Sequence, residues 1–390
     1  MSGFGIENLP FGARADAGGA ATGIVVRFED SVLDVRALAA DGLLDDTGVP
    51  RTALEAANLD ALLACGRVAG AAVREAVAAL LADGRAERAL SPLAGTRLAL
   101  PFTVGDYVDF FASLEHATNV GRMFRPDGEA LPAAWRHLPI AYHGRAGTVV
   151  VSGTPIRRPR GILPGPAGPR RAPTEALDFE LELGIVAGGP ANAVGVPVGV
   201  DEADARIFGV VLVNDWSARD VQRFEYVPLG PFNGKSFATS VSAWVVVLDA
   251  LEGARVAPVA QDPPPAAHLQ ARDPWALDLE LEAELQGGRV TAGNSRGLYW
   301  TFAQQLAHAA ENGATIRPGD LFASGTVSGP ARGSEGCLLE LTRGGTEPLL
   351  LADGSERAFL ADGDEVTLRA QSADGTVALG PVTGAILPAH

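Results

Sequence analysis

Short apolar or alternating runs, separated by Gly, Pro and Asp, dominate the chain from about residue 148 onward. Their length and β-branched or period-two character are typical of strands. The 47 Gly and 27 Pro among 390 residues supply the turns between them. The predicted strands are Thr148–Ser152, Phe179–Val186, Ile207–Val213, Trp244–Leu248, Leu277–Leu285, Leu338–Leu341 and Glu365–Leu368. This part of the chain therefore predicts a domain built on β-sheet.

The first 100 residues follow a different pattern. Two strand-like segments, Thr22–Phe28 and Val32–Val35, precede a stretch whose apolar residues recur at roughly helical spacing and which Gly84 can end. Those apolar residues are Leu54, Leu59, Leu62, Leu63, Val68, Val73, Val77, Leu80 and Leu81. Because 390 residues exceed one ordinary core, we predict a packing or assembly domain over residues 1–100 and a catalytic domain over residues 101–390.

Composition narrows the class of protein. A net charge of −16 at pH 7 argues against nucleic acid or an anionic membrane as a partner. Cys65 and Cys337 are too few for a disulfide framework or a cysteine-built zinc site. The opening segment MSGFGIENLP lacks a basic region followed by an apolar core, and no run of about 18 to 20 apolar residues occurs. We expect a cytoplasmic protein without a membrane span.

Two acidic segments alternate with apolar residues. In LDFELELGIV a strand would place Asp178, Glu180 and Glu182 on one face. Like charges on one face repel, so this face is either solvated or neutralised by a cation. In LDLELEAEL a second strand would carry Asp278, Glu280, Glu282 and Glu284 on one face, with no catalytic residue types nearby. At least one of the two faces is therefore expected to be plain surface.

Other residues favour the first segment as a ligand set. Asp109 and His116 lie seven residues apart, and residues 106–124 suit a helix, so both would project to the same side. Asp215 ends the apolar run IFGVVLVN and opens a polar segment. Carboxylate oxygens from Asp109, Glu180, Glu182 and Asp215 would select Ca²⁺ or Mg²⁺ over zinc.

A series of longer motifs resembles, in order, the fumarylacetoacetase branch of the fumarylacetoacetate hydrolase family. The resemblance spans nearly the whole chain, including the opening ENLPFG and the N-terminal unit. The motifs are HATNVG (116–121), LPIAYHGRAGTVVVSGTPIRRP (138–159), FELEL (179–183), NDWSARDVQ (214–222), EYVPLGPFNGKSFATS (225–240), PGDLFASGTVSGP (318–330) and LLELT (338–342).

The resemblance implies a mixed, mainly β fold. It consists of a small SH3-like N-terminal barrel with a helical extension and a large C-terminal mixed β-roll that forms a homodimer. It also implies that Ca²⁺ is held by Asp109, Glu180, Glu182 and Asp215, and that Lys235 and Thr239 lie near a second, Mg²⁺ site that shares Asp215. The second acidic strand lies where the family has no ligands, so we assign it to solvent. Ala238 stands where the family has Gly beside the second cation.

The family reaction is hydrolysis of a carbon–carbon bond in a 1,3-diketo acid, giving fumarate and acetoacetate at the end of tyrosine and phenylalanine breakdown. The resemblance implies that His116 is the general base and that Glu340 orients it. Arg219, Gln222 and Lys235 match the residues that stabilise the oxyanion. The matched substrate contacts are Phe111, Arg125, Tyr142, Gln222, Tyr226 and Thr326, of which Phe111 replaces a Tyr.

Three functional hypotheses follow. The first is hydrolysis of fumarylacetoacetate, and the second is hydrolysis of another acylpyruvate-like diketo acid, which the Tyr-to-Phe difference at Phe111 favours. The third is a non-catalytic β-domain stabilised by Ca²⁺. A scaffold would not need His116, Glu340, Arg219 and Lys235 together, so the sequence favours an enzyme.

Overall fold

The computed structural model describes residues 3–390 and shows a mixed, mainly β protein, as predicted. The first two residues of the predicted N-terminal domain lie outside the described part. No helix within residues 3–390 is long and apolar enough to cross a membrane. The helices are Val35–Ala40, Arg51–Leu54, Asp60–Cys65, Arg67–Ala82, Leu114–Phe124, Val200–Ala203, Arg219–Glu225, Phe302–Ala310 and Leu338–Leu341.

The N-terminal region forms a five-stranded antiparallel sheet followed by helices. In spatial order its strands are Leu90–Pro92, Ser31–Asp34, Ala21–Phe28, Phe11–Ala15 and Leu98–Ala99. The predicted helical stretch is divided into three helices, and Gly66, with a φ of +87°, separates the last two. Val68 lies in the last of these helices, as its spacing indicates, but its side chain is 83% exposed. Gly84 adopts a φ of +69° just past the last helix.

A large mixed sheet forms the centre of the protein. Its strands run in the order Ala141–His143, Tyr107–Phe110, Leu321–Ala323, Leu181–Ala187, Ile207–Asp215, Thr239–Val241 and Val149–Val151, with Val246–Val247 also paired to Ile207–Asp215. The two central strands, Leu181–Ala187 and Ile207–Asp215, are buried along their full length. Val211 and Val213 pack with the N-terminal helices, whereas Val210 and Leu212 pack with the second sheet. Burial on both faces explains why these strands are continuously apolar.

The second sheet has the strand order Gly288–Asn294, Leu279–Leu285, Glu365–Ser372, Ala378–Leu387 and Ile156–Arg157. Along Leu279–Leu285 the leucines and Ala283 are buried, while Glu280 is exposed and Glu284 half-buried. Arg369 lies 3.3 Å from Glu284 across the strands. The assignment of this acidic face to solvent is confirmed. Shorter strand pairs join Arg160–Leu163 to Arg170–Pro173, Leu177–Asp178 to Ser217–Ala218, Arg255–Val256 to Ala276–Leu277, and Leu349–Leu350 to Glu356–Arg357.

Two local predictions near the site were wrong. Residues 106–124 do not form one helix: Asp109 lies on strand Tyr107–Phe110, and the helix begins after Ser113, whose hydroxyl accepts from the backbone N–H of His116 at 3.3 Å. Residues Tyr107–Phe110 form a strand because they pair with Leu321–Ala323 on one side and with Ala141–His143 on the other. The segment Leu338–Leu341, predicted as a strand, is a single helical turn.

Candidate metal centre and active site

Four carboxylates meet at one end of the central sheet. Asp109, Glu182 and Asp215 belong to three of its strands, and Glu180 lies just before one of them. All four are at most 4% exposed. Each offers an oxygen that lies within 4.8 Å of the others. The structure thus brings the four proposed ligands together, although Asp109 arrives from a strand rather than from the predicted helix.

The cluster has unmet charge. Asp109 Oδ1 and both carboxylate oxygens of Glu182 have no hydrogen-bond partner within residues 3–390. Burial and the Asp215 carboxylate raise the pKa of Asp109 well above its usual range, and burial together with the Asp109 carboxylate does the same to the pKa of Glu182. Buried carboxylates without partners are costly unless a cation compensates them. The residues therefore fit a bound divalent cation with oxygen ligands.

Two basic side chains neutralise the other half of the cluster. Lys235 contacts Glu180 and lies 2.8 Å from Asp215 Oδ2, while Arg219 Nη1 lies 2.7 Å from Glu180 Oε1. Although burial alone would raise the pKa of Glu180, Arg219 and Lys235 lower it. Tyr142 donates to Asp215 Oδ2 at 2.5 Å. Asp109 and Glu182 keep no such direct basic partner within residues 3–390, a deficit of two charges that one divalent cation would compensate.

The residues of the predicted second cation site also lie beside the cluster. Thr239 is paired with Asp215 across adjacent strands, and its hydroxyl donates to Asp215 Oδ1 at 2.8 Å. Lys235 is 5% exposed and contacts the same carboxylate through Oδ2. Ala238, which lies one residue before Thr239, is buried. Both oxygens of Asp215 are therefore engaged by protein donors, so a second cation there would have to displace or share them.

A histidine–carboxylate pair lies next to the acidic cluster. His116 Nδ1 is 2.5 Å from Glu340 Oε2, and the two residues are 224 positions apart in sequence. Glu340 also accepts from Asn119 Nδ2 at 2.9 Å, Ser328 Oγ at 2.8 Å and Cys337 Sγ at 3.2 Å. The imidazole is held by Nδ1, which leaves its Nε2 edge for chemistry. Sequence reasoning missed Asn119, Ser328 and Cys337, because nothing local shows that they reach a distant carboxylate.

His116, Cys337 and Glu340 also lie close enough to share a metal ion. Their polar atoms, however, are already joined by hydrogen bonds to the Glu340 carboxylate. The thiol of Cys337 is buried, and burial together with the Glu340 carboxylate raises its pKa well above the usual range. This group therefore does not share the unmet charge of the four-carboxylate cluster, which is the better candidate for holding a cation.

The Glu340 contacts lead to a prediction about acid stability. Burial alone would raise the pKa of Glu340, but His116, Asn119 and Ser328 lower it from 4.5 to about 2. Because the folded pKa is depressed, the stabilisation is full above pH 4.5 and is lost as the pH falls toward about 2. The shift corresponds to about 3 kcal/mol of unfolding free energy. Glu340→Gln should remove this dependence.

Urea unfolding of both proteins at about pH 6 and about pH 3 measures the effect. The stability difference between wild type and Glu340→Gln should narrow by about 2 kcal/mol at the lower pH. Parallel changes in the two proteins would contradict the assignment of an ionised, hydrogen-bonded Glu340.

A cavity of about 980 Å³ opens onto both groups of residues. The metal-site residues Asp109, Glu180, Glu182 and Lys235 line it, together with the proposed catalytic residues His116, Arg219 and Gln222 and the proposed substrate contacts Phe111, Arg125, Tyr142, Tyr226 and Thr326. Arg219 Nη2 and Thr326 Oγ1 are buried there without a hydrogen-bond partner in the described part of the chain. Unsatisfied donors on a cavity wall are suited to receive polar atoms of a ligand. Arg125, by contrast, donates to the backbone carbonyls of Glu129 and Ala130.

Comparison with known sequences decides the family. The family model for the fumarylacetoacetate (FAA) hydrolase C-terminal domain matches residues 107–384, and the one for the fumarylacetoacetase N-terminal domain matches residues 7–101. The chain belongs to the fumarylacetoacetate hydrolase family. It is 43% identical to the fumarylacetoacetase of Arabidopsis thaliana over 405 residues, covering 99% of this chain and 96% of that protein. It is 41% identical to the fumarylacetoacetase of Homo sapiens over 407 residues, covering 100% and 97%.

Two solved structures share the fold at lower sequence identity. The fumarylacetoacetate hydrolase of Exiguobacterium antarcticum superimposes with a TM-score of 0.55 at 17% identity, covering 97% of this chain and 99% of that chain. The maleylpyruvate hydrolase of Sphingobium sp. SYK-6 gives a TM-score of 0.53 at 16% identity, covering 98% and 99%. At these identities the likeness concerns the fold alone.

Proposed function

We propose that the protein is an enzyme that hydrolyses the carbon–carbon bond of fumarylacetoacetate to give fumarate and acetoacetate. The observation that carries the proposal is one cavity lined both by His116, which is bonded to the buried Glu340, and by Asp109, Glu180 and Glu182 of the four-carboxylate cluster. The near full-length identity to fumarylacetoacetases supports this substrate over others. Such a reaction would complete tyrosine and phenylalanine breakdown.

In this proposal His116 removes a proton from the attacking water. Glu340, bonded to Nδ1, holds the ring in orientation and stabilises the imidazolium that forms. Water oxygen bonds to the acyl carbonyl carbon, which becomes tetrahedral. When the carbon–carbon bond breaks, its electron pair leaves with the acetoacetate part as an enolate, which takes up the proton, and the acyl part leaves as fumarate.

Fixed donors meet the negative charge that develops on the attacked oxygen. Arg219 lines the cavity, is 4% exposed and has no partner for Nη2 within residues 3–390, while Gln222 Oε1 accepts from Arg219 Nη1 at 3.3 Å. Lys235 is held charged, because Asp215 and Glu180 raise its pKa although burial opposes them. Donors fixed before the reaction lower the barrier without reorganising during it.

A divalent cation held by Asp109, Glu180, Glu182 and Asp215 would supply Lewis-acid polarisation of the keto oxygens and orient them. We propose Ca²⁺ there and Mg²⁺ at the second site beside Lys235 and Thr239, because the carboxylate oxygens of the first site and the Asp215 and Thr239 oxygens of the second are donors that these hard cations prefer. Around this centre Arg125, Tyr142, Tyr226 and Thr326 would contact the substrate. Arg125 would have to exchange one of its backbone carbonyl partners for a substrate carboxylate.

Phe111 bears on substrate choice. Its ring packs edge-on against His116 with 5.3 Å between ring centroids, so it lies at the reacting end of the cavity. Phe111→Tyr should add one hydrogen bond to the substrate and lower KM for fumarylacetoacetate by about 2- to 10-fold, with kcat nearly unchanged. Steady-state kinetics on fumarylacetoacetate and acetylpyruvate checks this. If KM for both substrates is unchanged in Phe111→Tyr, the ring of residue 111 does not contact the bound substrate.

Further features belong to the same proposal. The N-terminal five-stranded sheet would be the SH3-like barrel of the family with its helical extension, and residues 1–100 and 101–390 would form the two domains. We also propose a homodimer acting in the cytoplasm on a small diketo acid, without a nucleic-acid partner. The net charge of −16 agrees with the last point.

The direct test is a spectrophotometric assay that follows loss of the diketo absorbance, with fumarate and acetoacetate identified among the products. We expect turnover with Ca²⁺ or Mg²⁺, loss on chelation, and recovery when the cation is returned. For fumarylacetoacetate kcat/KM should exceed that for acetylpyruvate by about 10-fold or more. The reverse ratio would favour an acylpyruvate hydrolase. Cation-dependent melting without turnover of either compound would favour the non-catalytic β-domain.

A further inference from the structure

Asp178 is a buried carboxylate that the proposed chemistry does not use. It is 0% exposed and lies on the short strand Leu177–Asp178, which pairs with Ser217–Ala218 immediately before Arg219. In the sequence Asp178 alternates with Glu180 and Glu182. The four carboxylates that lie close enough together to hold a cation nevertheless do not include it. Its role must therefore be sought in its own contacts.

Those contacts lead to two different parts of the site. Asp178 Oδ2 accepts from Arg219 Nε at 2.8 Å. The same carboxylate accepts from the backbone N–H groups of Leu338 at 2.7 Å, through Oδ1, and of Leu339 at 2.9 Å, through Oδ2. Arg219 is the proposed oxyanion donor, and residues 338–341 form the helical turn that carries Glu340.

The turn depends on this remote carboxylate. The residue before it, Cys337, provides no side-chain cap, so the first two N–H groups of the turn would lack a partner without Asp178. A four-residue helix has little stability of its own. Fixing its first N–H groups therefore fixes the position of Glu340, and through the 2.5 Å contact also that of His116.

Arg219 depends on Asp178 in a similar way. Asp178 holds Nε, Glu180 holds Nη1 at 2.7 Å, and Nη2 has no partner within residues 3–390. With two of its three nitrogens fixed, the guanidinium has little freedom to rotate. One carboxylate thus sets the direction of an oxyanion donor and the position of the general base.

We propose that Asp178 is a positioning residue that aligns Arg219 with the His116–Glu340 pair through one carboxylate bridge. The inference rests on the proposed hydrolase function. Because a misplacement of about 1 Å at reacting groups can lower the rate by about 100-fold, Asp178→Asn should lower kcat by about 100-fold. KM should change by less than about threefold, because Asp178 lies outside both the cavity lining and the four-carboxylate group.

Asp364 offers a matched control. It is 1% exposed and also joins an arginine to backbone, accepting from Arg357 Nε at 2.9 Å and from the N–H of Ala361 at 2.7 Å, but it does not line the cavity. Asp364→Asn should lower the melting temperature while kcat per folded molecule stays within about threefold of wild type. A general structural role for Asp178 would make the two variants behave alike.

Two further variants complete the test. Asp178→Glu keeps the charge but displaces the carboxylate. It should also lower kcat while cation affinity is retained. If Asp178→Asn does not fold, the kcat of Asp178→Glu tests the positioning role instead. In a Glu340→Gln background, Asp178→Asn should lower kcat by less than about 10-fold, because the effects of substituting residues that act as one unit are not additive. Full kcat in folded Asp178 variants of an active wild type, or fully multiplicative losses, would overturn the inference. An inactive wild type would instead refute the proposed function.

Discussion

His116→Ala should reduce kcat for fumarylacetoacetate by about 10³-fold or more, because general base catalysis of water attack contributes about 10²- to 10⁴-fold and the Glu340 support is lost with it. His116 is 4% exposed, lines the cavity and is bonded through Nδ1 to Glu340, whereas His143, which also lines the cavity, lies 3.5 Å from Asp106 instead. Cation binding should persist, since the four carboxylates do not include His116.

Three measurements distinguish a catalytic role of His116 as general base from a role in packing alone. Calcium titration by calorimetry should give nearly the wild-type affinity in His116→Ala. Added imidazole should restore part of the activity, because the cavity of about 980 Å³ has room for it. His308→Ala is the matched control: His308 is also helical but lies outside the cavity lining, and its loss should leave kcat unchanged. Full activity in His116→Ala would remove the proposed base.

Period-two patterns were the most reliable guide to this fold. Alternation placed the leucines of Leu279–Leu285 inside and Glu280 in solvent, because a paired strand fixes which side each residue faces. The same pattern at Asp178, Glu180 and Glu182 could not show that both faces of the sheet are covered. Burial of that face is a tertiary effect, since the second sheet and the helices are contributed by distant parts of the chain.

The local sequence pattern predicted the wrong secondary structure where a segment is paired or capped by residues distant in sequence. Asp109 was expected on a helix with His116, but pairing with Leu321–Ala323, more than 200 residues later, makes it a strand. Glu340 was expected on a strand, but it lies in a helical turn whose first residue, Leu338, donates its N–H to the Asp178 carboxylate 160 positions earlier. Motif resemblance still selected both residues, because it reflects the whole site rather than local conformation.

Glu182→Gln should separate the stability of the empty cluster from its capacity to bind a cation. Both carboxylate oxygens of Glu182 lack a hydrogen-bond partner within residues 3–390, and Glu182 lies beside the Asp109 and Glu180 carboxylates. In chelator the variant should melt higher than wild type, because a neutral amide removes like-charge repulsion and can donate to Asp109 Oδ1. Glu180 is less suitable for this test, since its loss would leave Lys235 and Arg219 undercompensated.

With Ca²⁺ at about 100 times its dissociation constant, wild type should gain about 2.7 kcal/mol and melt about 3 °C higher. Glu182→Gln should lose this gain and most of its activity, so the order of melting temperatures reverses between chelator and Ca²⁺. Glu280→Gln on the solvent-facing acidic strand is the control and should follow wild type in both buffers. If Glu182→Gln melts below wild type in chelator and responds equally to Ca²⁺, the four carboxylates are balanced by protein groups alone. The melting curves in chelator and in Ca²⁺ therefore test whether the cation binds because it compensates the buried negative charge, and not only because it fits the cavity.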